Sequence, residues 1–257
     1  MNDNAYVWHG DGWSVQVLFS RAGLSTGICV SLDSGFYLLA DCGDGTVRDL
    51  VQREINQGRK HSFLDNLGGI LISHGHFDHV GGLHTLLGFL RMIGREAPLP
   101  VIVPRGTRED RFIIEAFEHI YPDSIPFTID RREVGENEDS TLGDVAINPF
   151  AVIHCGSTKK GGIGEPMPAL GYSLFCNNQK VVYTGDCGLD SNLEPHIKDA
   201  DLLLIEATLR EPGGEMERRV HLSKQSAIRL AQSAKRTFII HLPKNRPSSK
   251  YPVTPNS

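Results

Sequence analysis

The run His74-Gly75-His76-Phe77-Asp78-His79 constrains this chain more than any other feature. Three imidazoles and a carboxylate fall within six residues, after the apolar stretch Ile70-Leu71-Ile72 and before Gly81-Gly82. Nitrogen and carboxylate donors of this kind suit zinc or another borderline divalent ion. A strand ending near Ser73 would carry the donors on a loop at its end, the rigid base that a metal site needs. On such a loop alternate residues can face two centres, His74 and His76 one ion, Asp78 and His79 a second.

One loop cannot complete two coordination shells. The chain repeats the pattern of an apolar run followed by a donor. His154 follows Phe150-Ala151-Val152-Ile153, Asp186 follows Val181-Val182-Tyr183-Thr184-Gly185, and His241 follows Phe238-Ile239-Ile240. Singly, each is an ordinary polar residue at a strand end. Together they place donors at several strand ends that could converge on one edge of a sandwich. The expected first centre is His74, His76 and His154, and the second Asp78, His79 and His241. Asp186, with two oxygens, would bridge them. His9, His61, His119 and His196 lack such context and read as surface residues, and His84 reads as structural.

Apolar, β-rich runs at 15–19, 28–32, 37–40, 70–72, 101–103, 145–147, 181–183, 202–205 and 238–240 predict strands. Apolar residues at helical spacing predict helices over 82–93, 108–120 and 223–234. The Gly- and Pro-rich stretch 158–168 predicts a loop. Strands cluster early and strand–helix alternation follows, the pattern of an α/β protein with much antiparallel pairing. A length of 257 residues suits one layered domain, here 1–242, with a Pro-, Ser- and Lys-rich tail at 243–257.

No apolar run approaches the ~20 residues of a membrane-spanning helix. The polar N-terminus lacks the basic start and apolar stretch of a secretory signal. Five cysteines without Cys-x-x-Cys spacing suggest reduced thiols in a cytoplasmic protein, two of them, Cys155 and Cys187, directly beside candidate ligands. The net charge of -5 hides ten Lys and Arg against three Asp and Glu over 210–250, a local +7. That segment reads as a binding face for an anionic substrate or as a solvated helix face with a basic tail.

The order His74-x-His76-x-Asp78-His79, then His154, Asp186 and His241, resembles the metallo-β-lactamase superfamily over nearly the whole chain to His241. Within it the chain is most similar to ribonuclease Z and its phosphodiesterase relatives. Leu39-Ala40-Asp41-Cys42-Gly43-Asp44-Gly45-Thr46 resembles their Asp-Cys-Gly-Glu-Gly-Thr stretch. Glu206-Ala207-Thr208 resembles their Glu-Ala-Thr motif, and His221-Leu222-Ser223 their His-Ser-Thr motif. The resemblance implies an αββα sandwich, two mixed β-sheets flanked by helices. It implies two divalent ions, Zn2+ first and Mn2+ or Fe2+ as alternatives.

Water held between two such ions would lose much of its proton affinity and attack phosphorus, since one zinc lowers its pKa from 15.7 to about 7. Asp78 would hold an ion and orient the nucleophile. His221 would protonate the leaving oxygen, with Glu206 accepting from its other ring nitrogen. His221 could instead simply precede a helix capped by Ser223. The expected substrate is an anionic small-molecule or RNA phosphodiester. The alternatives are hydrolysis of a lactone, ester or thioester on the same fold, and a non-catalytic metal- or ligand-binding protein. A homodimer is compatible with either, and no membrane partner is expected. Two departures stand out. Only 155–185 separates His154 from Asp186, leaving little room for the long Gly/Pro-rich arm that grips transfer RNA. After His241 the chain reads Leu242-Pro243-Lys244-Asn245-Arg246, where the family continues with Ser and then Arg-Tyr.

Overall fold

The computed structural model describes residues 6–56, 58 and 66–243. The first sheet holds β1 (Val7–His9), β2 (Trp13–Arg21), β3 (Ser25–Leu32), β4 (Tyr37–Cys42), β5 (Leu67–Leu71), β6 (Leu99–Pro104) and β7 (Ile129–Val134), side by side in that order. Its first four strands pair antiparallel and its last four parallel. Three helices cross between or follow these strands: α1 (Thr46–Asn56), α3 (Leu83–Met92) and α4 (Glu109–Ile120), with a single-turn α2 (Phe77–Val80) after β5.

The second sheet contains β8 (Ser140–Leu142), β9 (Val145–Ala151), β12 (Leu170–Cys176), β13 (Gln179–Tyr183), β14 (Leu202–Glu206) and β15 (Thr237–Ile240). Its order is β15-β14-β13-β12-β9-β8, parallel across β13–β14–β15 and antiparallel elsewhere. Between its strands lie α5 (Glu194–Ile197), α6 (Gly214–Arg219) and α7 (Lys224–Leu230). A separate ribbon pairs β10 (Cys155–Ser157) with β11 (Ile163–Pro166).

Alternation along the central strands explains the layers. In β4, Leu38 and Ala40 face the second sheet, while Tyr37, Leu39 and Cys42 face the helices. In β14, Leu202 and Leu204 enter the same inter-sheet core, while Leu203 and Ile205 pack with Leu193, Ile197 and Ala227 on the outer face. Strands buried on both faces read as continuous apolar runs for this reason. Three apolar layers separate four layers of structure, the expected αββα sandwich of two mixed sheets flanked by helices.

All nine predicted strands and all three predicted helices form. Ser223 caps α7, its Oγ accepting from Ser226 N at 3.1 Å. The loop expected at 158–168 is corrected in part, because residues 163–166 form β11 and pair back onto β10. No helix among the described residues is long and apolar enough to cross a membrane. Of the expected tail, 244–257 lies outside the described residues, as does His61.

Candidate metal centre and active site

Each predicted donor follows a strand. His74 comes after β5, His154 after β9, Asp186 after β13 and His241 after β15. His76, Asp78 and His79 do not remain on an open loop. His76 is the N-cap of α2, and the helical turn carries Asp78 and His79 inward, buries Val80 in the core and leaves Phe77 outside.

The candidate donors lie close together. His76 Nδ1 lies 3.1 Å from His74 Nε2 and 3.0 Å from His154 Nε2. His241 Nε2 lies 3.3 Å from His79 Nε2 and 3.2 Å from Asp78 Oδ2. Asp186 sits between the two groups, with Oδ2 3.5 Å from His79 Nε2 and 3.9 Å from His74 Nε2, and Oδ1 3.3 Å from His241 Nδ1. Ligand atoms around a tetrahedral zinc at 2.0–2.1 Å are about 3.3 Å from one another, so these spacings fit a metal ion. Asp186 Oδ1 is buried without a hydrogen-bond partner. Such an orphan costs about 1–3 kcal/mol, which a bound cation would remove.

Outer hydrogen bonds aim four of the five rings. Nδ1 of His74 meets Ser73 Oγ at 3.0 Å, and Nδ1 of His79 meets Asp41 Oδ2 at 2.6 Å. Nδ1 of His154 meets the Val220 carbonyl at 2.8 Å, and Nδ1 of His241 meets Thr208 Oγ1 at 2.9 Å. These partners assign the proton to Nδ1 and leave the Nε2 lone pairs directed into the cleft. His76 is the exception and presents Nδ1.

Asp41 is the hub of this outer layer. Its carboxylate accepts from Ser73 N and Ser73 Oγ, both at 2.7 Å, from His79 Nδ1 and from the Tyr183 hydroxyl. The sequence singled out its motif but not this role. Ser73 and Thr208 were likewise missed as positioning groups, since Ser73 looks like any Ser at a strand end and Thr208 lies 33 residues from the His241 it meets.

The electrostatics also favour a cation. Burial lowers the basicity of His74 and His76 and takes His154 down to about 4, so these rings are neutral. Burial acts the same way on His79, but the Asp186 and Asp41 carboxylates outweigh it and hold that ring well above its usual value. Burial would raise Asp186, yet the charges of His241 and His79 hold it well below the carboxylate range. Burial would raise Asp78, but the neighbouring His241 and His79 rings together outweigh it and take the carboxyl down to about 2. Buried carboxylates here require positive charge close by.

Beside this cluster stands a pair that belongs to no predicted shell. His221 Nδ1 lies 2.8 Å from Glu206 Oε1. Glu206 is wholly buried and also accepts from the amides of Cys187 and Thr208, each at 3.0 Å. Burial lowers the His221 basicity, but Glu206 outweighs it and raises the ring to about 9. His221 Nδ1 is 3.7 Å from Asp186 Oδ2, and its side chain retains 18% exposure, so its free nitrogen adjoins the cleft.

A family model described as Beta-lactamase superfamily domain matches residues 37–242. The chain belongs to the metallo-β-lactamase superfamily. It is 27% identical over 247 residues to Ribonuclease Z of Ignicoccus hospitalis, covering 80% of this chain and 78% of that one. The short form of human tRNase Z superposes with a TM-score of 0.70 at 21% identity, covering 90% of this chain and 93% of that one. Zn2+-bound PqqB from Methylobacterium extorquens gives a TM-score of 0.70 at 18% identity, covering 89% of each chain. Family, fold and relatives agree on a ribonuclease Z-like, metal-dependent hydrolase.

In this superfamily member the segment between His154 and Asp186 forms only the β10–β11 ribbon and strands β12 and β13. Within the described part of the basic segment, Arg218 pairs with Asp190, Arg219 with Glu215 and Lys235 with Asp201. Its charge is therefore partly compensated on the spot. Cys155 and Cys187 are buried, and burial pushes the Cys187 thiol well up, so it carries no thiolate. His9 and His119 are exposed as expected, and His84 sits edge-on to Phe117. His196 departs from its expected place on the surface. It is half-buried and stacks on Phe150 with ring centres 4.1 Å apart.

Proposed function

We propose that this protein is a two-metal phosphodiesterase of the ribonuclease Z type, with residues 1–242 as its catalytic domain. His74, His76 and His154 would hold one ion, Asp78, His79 and His241 the other, and Asp186 would serve both. The nitrogen-rich donor set and the zinc-bound structural neighbour support Zn2+. Bound there, such ions lower the proton affinity of water and offset charge on phosphoryl oxygens.

The chain's own groups supply the rest. Asp78 is held ionised and accepts a hydrogen bond from the attacking water. Glu206 fixes His221 with a proton on Nδ1 and keeps the ring protonated. His221 then gives its Nε2 proton to the leaving oxygen. Asp41, Ser73 and Thr208 orient the rings around them.

The observation that carries this reading is the Glu206–His221 pair beside the donor cluster. A phosphodiester expels an alkoxide and gains from an acid, whereas a lactone or thioester opens with less need of one. The relatives named Ribonuclease Z and tRNase Z support RNA or a smaller phosphodiester as substrate. The short ribbon favours small phosphodiesters over transfer-RNA precursors, because long arms bind through many phosphate contacts. The test is metal-replete protein, with metal content measured, offered an aryl phosphodiester, a lactone and a thioester. Turnover concentrated on the phosphodiester is expected. Turnover of the lactone or thioester alone would overturn the proposal.

A further inference from the structure

Phe77 lies between two ligand candidates, yet its side chain is 67% exposed while Asp78 and His79 beside it are buried. Exposed apolar residues are ordinary on protein surfaces, but the place of this one is not. Consecutive Cα atoms are 3.8 Å apart, so the ring is anchored directly between His76 and Asp78. A second segment reaches the same carboxylate through its backbone. The turn between β2 and β3 brings Gly23 N to 2.8 Å from Asp78 Oδ2, and Leu24, the next residue, is 38% exposed. Two segments far apart in the chain thus meet at Asp78, and each carries an exposed apolar residue, Phe77 in one and Leu24 in the other. The exposed group over Gly75, Glu109, is by contrast charged.

We infer that Phe77, flanked by Leu24, is a specificity-determining residue: a platform on which the nucleobase next to the scissile phosphate stacks. The inference rests on the phosphodiesterase reading above and names the substrate class as nucleotidic. A base is planar, has an apolar face, and is tethered to the phosphate by one sugar, which sets it beside the ions when the phosphate is between them. Stacking tolerates any base, because each has a π face. The platform therefore selects for nucleotides over other phosphodiesters without selecting among sequences.

The test uses the metal-loaded full chain and two substrates that release the same nitrophenolate. Thymidine 5′-(p-nitrophenyl phosphate) carries a base, and methyl p-nitrophenyl phosphate does not. The readout is the ratio of their kcat/KM values. Phe77→Ala should lower that ratio by about 5- to 100-fold, the range of one base–aromatic stack, through KM rather than kcat. Phe77→Trp should keep or raise it, and Leu24→Ser should lower it less. Thermal stability and metal content of each variant report on folding. If Phe77→Ala does not fold, the Trp and Leu24→Ser variants decide by the same ratio. An unchanged ratio in variants that still turn over both substrates overturns the platform and leaves the phosphodiesterase standing. A wild-type protein that hydrolyses neither substrate overturns the phosphodiesterase reading, and the platform with it.

Discussion

Replacing His221 by Ala removes one proton donor and no proposed metal ligand, so its effect should depend on the leaving group. The structure sets the size. Glu206 raises His221 to about 9, so the folded ring is charged below that pH and loses its proton as pH rises through it. At pH 7.5 roughly 97% of the molecules then hold the acid form. A positioned general acid contributes about 10²–10⁴-fold, or about 3–5 kcal/mol of barrier. The expected loss on an alkyl phosphodiester is of that order, and on a p-nitrophenyl diester far smaller, since nitrophenolate departs unaided.

Glu206→Gln sharpens the test. Without the carboxylate charge His221 returns toward about 6.5, where roughly a tenth is protonated at pH 7.5. The alkyl substrate should lose about 10-fold at pH 7.5, recover near pH 6 and show an alkaline limb shifted downward. The buried amide also leaves a donor facing Thr208 N, so thermal stability should fall. The assay is steady-state turnover of both diesters from pH 5.5 to 10, with metal analysis of each variant. Equal losses on both substrates would refute the acid role and make His221 a phosphate-positioning group. Loss of metal would move it among the ligands.

Two further outcomes follow from the outer groups. Asp41→Asn should weaken metal binding by about 10–100-fold, the usual cost of losing a group that orients a ligating histidine, measured by competition with a chromophoric chelator. Glu217 is buried and accepts from Ser226 Oγ at 2.7 Å and from Gly213 N. Burial would raise it, but these hydrogen bonds hold it below its ordinary 4.5. Its stabilisation is therefore complete above about pH 4.5 and lost as pH falls through the lower folded value. Urea midpoints at pH 7 and pH 3.5 should drop less between the two for Glu217→Gln than for wild type.

The strands were legible because apolar runs buried on two faces have no other reading at that length, and the donors because each closes such a run. The one-turn α2 was not, since four residues are too few to show a helical period. Nor was β11, whose Gly-rich run looks like a loop until β10 pairs with it. Asp41 marks the deeper limit. Its partners Ser73 and Tyr183 lie 32 and 142 residues away, and only the folded sandwich brings them together. His196 was misplaced for the same reason, because Phe150 meets it only after the second sheet forms.

The contact of Asp41 with Tyr183 joins the end of β4 in one sheet to the end of β13 in the other. The ligand candidates divide along the same seam: His74, His76, Asp78 and His79 belong to the first half of the chain, His154, Asp186 and His241 to the second. A chain emerging from the ribosome with only its first sheet complete holds only part of the candidate donor set, and its Asp41 lacks the tyrosine. The full set of candidate donors therefore exists only in molecules whose two halves have already docked face to face.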